Sequence, residues 1–177
     1  MRIIAGELGG RVFESPHSKR THPMSDKVRG ALFNALGDIK GLTVLDAFAG
    51  SGALSLEAIS RGARSAVAID IDNDAFKTIA NNVMTLGLEK QIEFLRKNIK
   101  GWSRNNQHRS FDIVLADPPY DDIRPDLLQV LILQVKSGGL FVVSWPGSEE
   151  IRKFAEVEVI SSKRYGDAQL VFYRKIS

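Results

Sequence analysis

Cysteine is absent from the chain, so no disulfide framework forms and no thiolate can hold a zinc ion. Histidine is scarce: His17, His22 and His108 are far apart, and no two stand at metal-ligand spacing. No apolar run reaches the roughly 18 residues that a membrane span requires. The opening Met1-Arg2-Ile3-Ile4-Ala5-Gly6 lacks the apolar centre of a signal peptide. Repeats, linkers and low-complexity segments are missing too. Together these absences lead to the expectation of a cytoplasmic, metal-free monomer with no membrane partner. The length suits one domain that buries roughly 70% of its unfolded surface.

Charge is present in both signs, with a net value of +3, but it is unevenly placed. Up to residue 40 the cations are Arg2, Arg11, Lys19, Arg20, Lys27, Arg29 and Lys40, against Glu7, Glu14, Asp26 and Asp38. Seven minus four equals the surplus of the whole chain. A second basic stretch, Arg96 to Arg109, holds Lys97, Lys100 and Arg104 and no acid. Such runs are often solvated faces, and their asymmetry also suits a polyanionic partner.

Periodicity places the elements. Residues 2–14 read as a hairpin about Gly9-Gly10, an arm too small to bury much alone, followed by a polar, basic connection. Ser25 is an N-cap for a helix carrying Val28, Ala31, Leu32, Ala35 and Leu36, with Gly37 as its stop. From Thr43 onward strands and helices alternate. Strands are expected at Thr43–Phe48, Ala66–Asp70, Ile92–Leu95, Ile113–Ala116 and Leu140–Val143. Helices are expected from about Ala53 to Arg61, from Phe76 to near Gly87, and through Leu127, Leu128, Leu131 and Val135 to Gly138-Gly139. A short crossover occupies Ile99–Asn105. This alternation implies an α/β fold with a doubly wound, mostly parallel sheet. Period-two patterns around Gly166-Asp167 add an antiparallel C-terminal pair, for seven strands in all. Residues 1–40 are read as an extension of the domain formed by residues 41–177.

Two constellations carry chemistry. Asp117-Pro118-Pro119-Tyr120 follows the uninterrupted apolar strand Ile113–Ala116, where an open α/β sheet places its ligands. The prolines fix φ and give no N–H, so the Pro118 carbonyl can be held as an acceptor. Asp117 supplies a second acceptor and Tyr120 a stacking face, a set that suits the exocyclic amine of a nucleobase. A simple strand-ending turn would use the same residues. Upstream, Gly50-Ser51-Gly52 gives two glycines of a dinucleotide loop, with Ser55 at the third position. Asp46 would repel a pyrophosphate there, yet favour an ammonium and a sulfonium. Asp70 stands about twenty residues beyond the first glycine, where an acid takes ribose hydroxyls. A ribose without phosphate and a cationic amino-acid tail describe S-adenosylmethionine. Both acids would serve equally as turn or helix caps.

The stretch Asp46-Ala47-Phe48-Ala49-Gly50-Ser51-Gly52-Ala53-Leu54, with Glu57-Ala58 and Ser60-Arg61-Gly62-Ala63, resembles the cofactor loop of the RsmD-type methyltransferases. These bacterial enzymes methylate the exocyclic amine, N2, of a guanine in 16S ribosomal RNA. The likeness extends to Arg2–Gly6, Gly10-Arg11, Val28-Arg29, Leu32-Phe33-Asn34, Asp117–Tyr120 and Tyr165-Gly166-Asp167. It implies a Rossmann-like class I methyltransferase fold with an N-terminal hairpin and helix extension. It implies S-adenosylmethionine as cofactor, and 16S ribosomal RNA or a small-subunit (30S) assembly intermediate as partner. The resemblance assigns Asp46 and the backbone of Phe48, Ala49, Gly50, Ser51 and Gly52 to the methionine end. Asp70 would take the ribose, Ile71 the adenine face, and Asn98 and Ile99 the adenine edge. Asp117, Pro118 and Tyr120 would be catalytic, and Arg2, Arg11, Lys19, Arg20, Lys27 and Arg29 would meet RNA. Asn98 stands where such enzymes often carry Asp, His22 and Met24 where Arg and Thr are usual, and Gly30 where Glu is. Competing readings are a DNA adenine-N6 methyltransferase, a nicotinamide-dependent dehydrogenase and a non-catalytic RNA-binding assembly factor.

Overall fold

The computed structural model describes residues 1–17 and 23–177. In chain order the elements are α1 (Asp26–Leu36), β1 (Thr43–Ala47), α2 (Ala53–Ser60), β2 (Ser65–Asp70), α3 (Asn73–Leu86) and β3 (Ile92–Arg96). They continue with α4 (Ile99–Asn105), β4 (Phe111–Ala116), α5 (Pro125–Ile132), β5 (Val135–Pro146), β6 (Val157–Tyr165) and β7 (Ala168–Lys175). The strands form one sheet in the order β3-β2-β1-β4-β5-β7-β6. β1 to β5 run parallel, while β7 is antiparallel to both β5 and β6. This is the class I methyltransferase architecture.

Each parallel strand is apolar on both faces because helices cover both sides. Val44, Ile113, Leu115 and Val142 join a core with α1, α2 and α3 through Leu32, Phe33, Leu56, Ile79 and Val83. Leu45, Val114, Ala116 and Val143 face the other way, against Trp102, Leu128, Leu131 and Ile132 of α4 and α5. The chain reverses its direction of strand addition between β1 and β4, so their carboxyl ends open the crevice where such sheets bind ligands.

Residues 2–14 close as the expected hairpin: Ile3 N donates to Arg11 O at 2.9 Å, Gly10 N to Ile3 O at 2.8 Å and Phe13 N to Met1 O at 3.0 Å, about one antiparallel bridge, Arg2 with Val12. Other backbone groups of the arm are taken up by α2. Glu57 accepts from Ile4 N at 2.9 Å and Ala5 N at 3.3 Å, and the Ser60 hydroxyl accepts from Leu8 N at 2.9 Å. Ile3 and Phe13 are thereby buried, worth roughly 1.5–3 kcal/mol each. Two expectations need correction. First, β1 stops at Ala47, because Phe48 has φ of 60° and leaves extended geometry. Second, Val135 opens β5 rather than ending α5. It pairs with Phe111, and the register then jumps so that Ile113 faces Leu140. Gly138, with φ of 74°, and Gly139 sit within that irregularity and do not stop a helix.

The remaining termini follow the sequence. The Ser25 hydroxyl accepts from Val28 N at 3.2 Å, and Gly37 closes α1. Asp72 caps α3 through Ala75 N at 2.9 Å. A two-residue turn with Gly166 at φ of 60° joins β6 to β7.

Candidate active site

Three carboxylates end three adjacent strands. Asp46 lies on β1, Asp70 ends β2, and Asp117 follows β4. Asp46 is fully buried. Its Oδ2 accepts from Ser55 N at 3.1 Å and from the Ser55 hydroxyl at 2.7 Å, while its Oδ1 is buried with no partner. Burial pushes its pKa up to about 7, against the pull of the Ser55 bonds, and the charges of Asp117 and Asp70 add to the rise. An orphaned carboxylate oxygen of this kind fits a cation, the chemistry expected of an ammonium-bearing cofactor. Ser55 therefore does more than replace a glycine: it fixes the acid beneath the loop.

The loop after β1 is tightly wound. Gly50 N donates to Asp70 Oδ2 at 2.8 Å, and Asp70 Oδ1 accepts from Asp72 N at 2.9 Å. Ala49 N donates to Ile69 O at 3.0 Å, and Gly52 N to Ala49 O at 2.8 Å. Gly52 starts α2 in the left-handed region at φ of 81°, a conformation that side chains resist. Asp70 thus braces the glycine loop with both oxygens; each retains a second lone pair for a ribose hydroxyl. Its pKa is raised, burial outweighing the backbone bonds.

Ile71 is 64% exposed, a large apolar side chain beside Asp70 with one face open. Asn98 is exposed and caps α4, its Oδ1 accepting from Gly101 N at 3.1 Å. Ile99, buried, occupies the first helical position, where amides have no partner inside the helix. The pair expected at the adenine edge therefore lies at a helix N-terminus.

In the Asp117 corner, Asp122 N donates to Pro119 O at 3.1 Å, so the turn uses the carbonyl of Pro119 rather than that of Pro118. Burial lifts the Asp117 pKa to about 6, with a hydrogen bond from Ser144 opposing it. Tyr120 is 41% exposed, and its hydroxyl lies 2.7 Å from Ser144 Oγ. Register places Ala47 opposite Ala116, so Phe48 and Asp117 leave their strands side by side across the switch point. The residues named from sequence as cofactor-binding and catalytic gather at one end of the sheet.

The cations do not all follow. Arg2, Arg11 and Lys27 are exposed; Lys19, Arg20 and His22 lie outside the described residues. Arg29, expected to face RNA, is fully buried. It donates to Arg2 O at 2.6 Å and to Asp26 at 2.9 Å, with Glu57 at 3.7 Å, so it fastens the arm to α1 and α2. In the second basic stretch, Arg109 pairs with Glu93 at 2.9 Å and Lys100 with Asp126 at 3.8 Å, while Arg96 donates to Ile71 O. Sequence reading missed the roles of Glu57, Asn82 and Ser144. Asn82 links the arm to the loop, bonding Glu14 N at 2.8 Å, Glu14 O at 2.9 Å and Ser51 O at 2.9 Å. A polar residue on the buried stripe of α3 was the available signal.

The family described as conserved hypothetical protein 95 matches residues 1–174. The chain belongs to this RsmD-type methyltransferase family. Ribosomal RNA small subunit methyltransferase D of Escherichia coli is 36% identical over 147 residues, 78% of this chain and 68% of that one. YlbH of Bacillus subtilis is 30% identical over 182 residues, covering 99% of each chain. The solved structure of yhhF from Escherichia coli superposes with a TM-score of 0.88 at 28% identity, covering 99% of this chain and 98% of that one. The RsmD-type likeness thus spans the arm, the glycine loop and the C-terminal strands alike.

Proposed function

We propose that this protein transfers a methyl group from S-adenosylmethionine to the exocyclic amine, N2, of a guanine in small-subunit ribosomal RNA. The observation that carries the reading is the carboxyl-end corner itself. Asp46 offers a buried, unpartnered oxygen to a cation, and Asp117 and Tyr120 face the same crevice across the β1/β4 switch point. Family membership and the name of the Escherichia coli relative support the substrate class.

The bound cofactor would supply a methyl group already activated on a sulfonium, so the protein's task is to hold and to orient. Asp46 would hold the ammonium, Phe48 to Gly52 the methionine backbone, Asp70 the ribose, and Ile71, Asn98 and Ile99 the adenine. Guanine's amino lone pair is delocalised into its ring and attacks poorly. Asp117 and the Pro118 carbonyl would draw the two amino hydrogens and stabilise the positive charge that grows on nitrogen. The cofactor, when bound, would supply the methyl and keep the electron pair of the bond it gives up, and Asp117, in its ionised form, would accept the proton that the methylated nitrogen releases. Tyr120 would stack on the extruded base, worth about 1–3 kcal/mol. Arg2, Arg11, Lys27 and the undescribed Lys19 and Arg20 would meet phosphates.

The test is methyl transfer from radiolabelled cofactor to small subunits and to naked ribosomal RNA, followed by nucleoside analysis. N2-methylguanosine is expected. N6-methyladenosine would favour the adenine reading, which has some support. A Shewanella halifaxensis protein named for adenine-N6 methylation of a tRNA is 34% identical over 82 residues, 46% of this chain. No methylated base would reject both.

A further inference from the structure

We propose that Lys163, on the edge strand β6, takes an RNA phosphate that flanks the target guanine, on the side of the Asp117–Tyr120 corner away from the glycine loop. Such a contact presupposes the RNA substrate proposed above and lies outside residues 1–40. Its basis is the register of the sheet. Ser144 on β5 pairs with Leu170 on β7, and Leu170 pairs in turn with Lys163. Residues paired in this way point to the same face. Neighbouring strands lie about 4.8 Å apart, so the backbone of Lys163 stands about 10 Å from that of Ser144. The Ser144 hydroxyl is 2.7 Å from that of Tyr120, so the ring proposed to stack on the base is anchored in the same row as Lys163. Leu170 shares its core with Ile3 and Phe13 of the arm and with Leu32 and Phe33 of α1, so this is the face on which the arm lies. The β6–β7 turn also sits at the carboxyl end of β5, where Gly147 N donates to Asp167 O at 2.8 Å.

The charge of Lys163 is uncommitted. Its side chain is exposed, and its ammonium makes no ion pair among the described residues. It lies 5.5 Å over the ring of Tyr165, which itself packs against the arm-side core. A ring face attracts an ammonium without using its hydrogen bonds, so all three N–H donors remain for an anion. A lysine held in this way also loses less rotamer freedom when a phosphate arrives. Arg109 and Lys100 of the second basic stretch differ, being paired with Glu93 and Asp126. Arg164 supplies an internal contrast. It is exposed as well, but it pairs with Gln169 and through it with Trp145, whose side chain belongs to the opposite core. Of these two adjacent cations, only Lys163 shares a face with Tyr120.

Binding of radiolabelled 16S ribosomal RNA, titrated with KCl between about 50 and 200 mM, tests the contact in the unaltered protein and in Lys163→Ala, Lys163→Arg and Arg164→Ala. Lys163→Ala is expected to reduce the log–log salt slope by about 0.7, one single-strand phosphate. It should also raise KM for small subunits several-fold at an unchanged kcat and an unchanged cofactor affinity. Lys163→Arg should restore the slope, and Arg164→Ala should leave it as in the unaltered protein. A parental slope and KM in Lys163→Ala, or an equal loss of slope in Arg164→Ala, would overturn the assignment of Lys163 while leaving the methyl transfer intact. The expected slopes with no transfer by the unaltered protein would overturn the proposed function and leave the Lys163 contact standing. No binding of the RNA by the unaltered protein would overturn both.

Discussion

Asp46 is costly to the fold in the charged form that its proposed ligand would need. Its carboxyl is driven from 3.8 to about 7 by burial. Between about pH 4 and pH 7 the native state therefore holds a proton that the unfolded state has released, and the contribution of this one group to stability is complete below about pH 4. It is lost progressively as pH rises through about 7. A cationic ligand reverses this preference, because it needs the ionised form. Cofactor binding is expected to strengthen from pH 5 to pH 8 and to release protons near neutrality, as read by calorimetry in buffers of different ionisation enthalpy. Asp46→Asn should weaken binding, abolish that proton release, and raise the stability of the ligand-free protein at pH 8 by on the order of 2 kcal/mol. A variant that binds as tightly as its parent with the same proton release would show that Asp46 does not hold the cation. At this scale the placing of Asp46, Asp70, Asp117 and Tyr120 at the carboxyl end of the sheet was legible from residue type and strand position. Ser144 was not, because a serine at the end of a strand carries no pattern until its neighbours in space are known. Arg29 failed for the same reason: a cation on the helix after a basic arm reads as a phosphate ligand, and only the buried Glu57 opposite reveals it as a fastener.

The elements differ in how far local sequence decides them. Caps at Ser25, Asp72 and Asn98 are fixed by side chains within three residues, and the stops at Gly37 and Gly87 by positive φ. The α5/β5 boundary eludes a local reading because Val135 fits the helical period of Leu127, Leu128 and Leu131. Pairing with Phe111 wins over that period. Within α1, Gly30 has an ordinary helical backbone, and a methyl there would meet Ile4 at 3.6–3.8 Å, comfortable contact. Gly30→Ala is expected to stabilise the protein by about 0.5–1 kcal/mol in denaturant unfolding; destabilisation would mean that α1 and the arm are packed more closely than this. Gly6 is the opposite case. Any side chain there would collide with the Ser60 carbonyl, and its φ of 86° is disfavoured as well. Gly6→Ala should lift the arm from α2, seen as faster amide exchange at Ile4, Ala5 and Leu8. Unchanged exchange would show that the arm is not held at this point.

For the whole molecule, alternation of strand and helix revealed the doubly wound sheet. The insertion of β7 between β5 and β6 depends on non-local pairing that no local pattern specifies. Charge is a whole-molecule property too. With Arg29 internal, the N-terminal cations proposed to face phosphates are, among the described residues, Arg2, Arg11 and Lys27, all exposed. Replacing any one by Ala should lower the salt dependence of RNA binding, by about 0.7 in log–log slope for each single-strand phosphate that is no longer neutralised. An unchanged slope would remove that residue from the interface. The proposed phosphate contacts would serve the corner where Asp117 meets a proline-fixed turn, and Asp117→Ala tests that corner most directly when cofactor affinity and methyl transfer to small subunits are measured on the same preparation. Expected is near-parental affinity with transfer abolished; transfer at the parental rate, or equal loss of both, would contradict the assignment of Asp117 to the target amine.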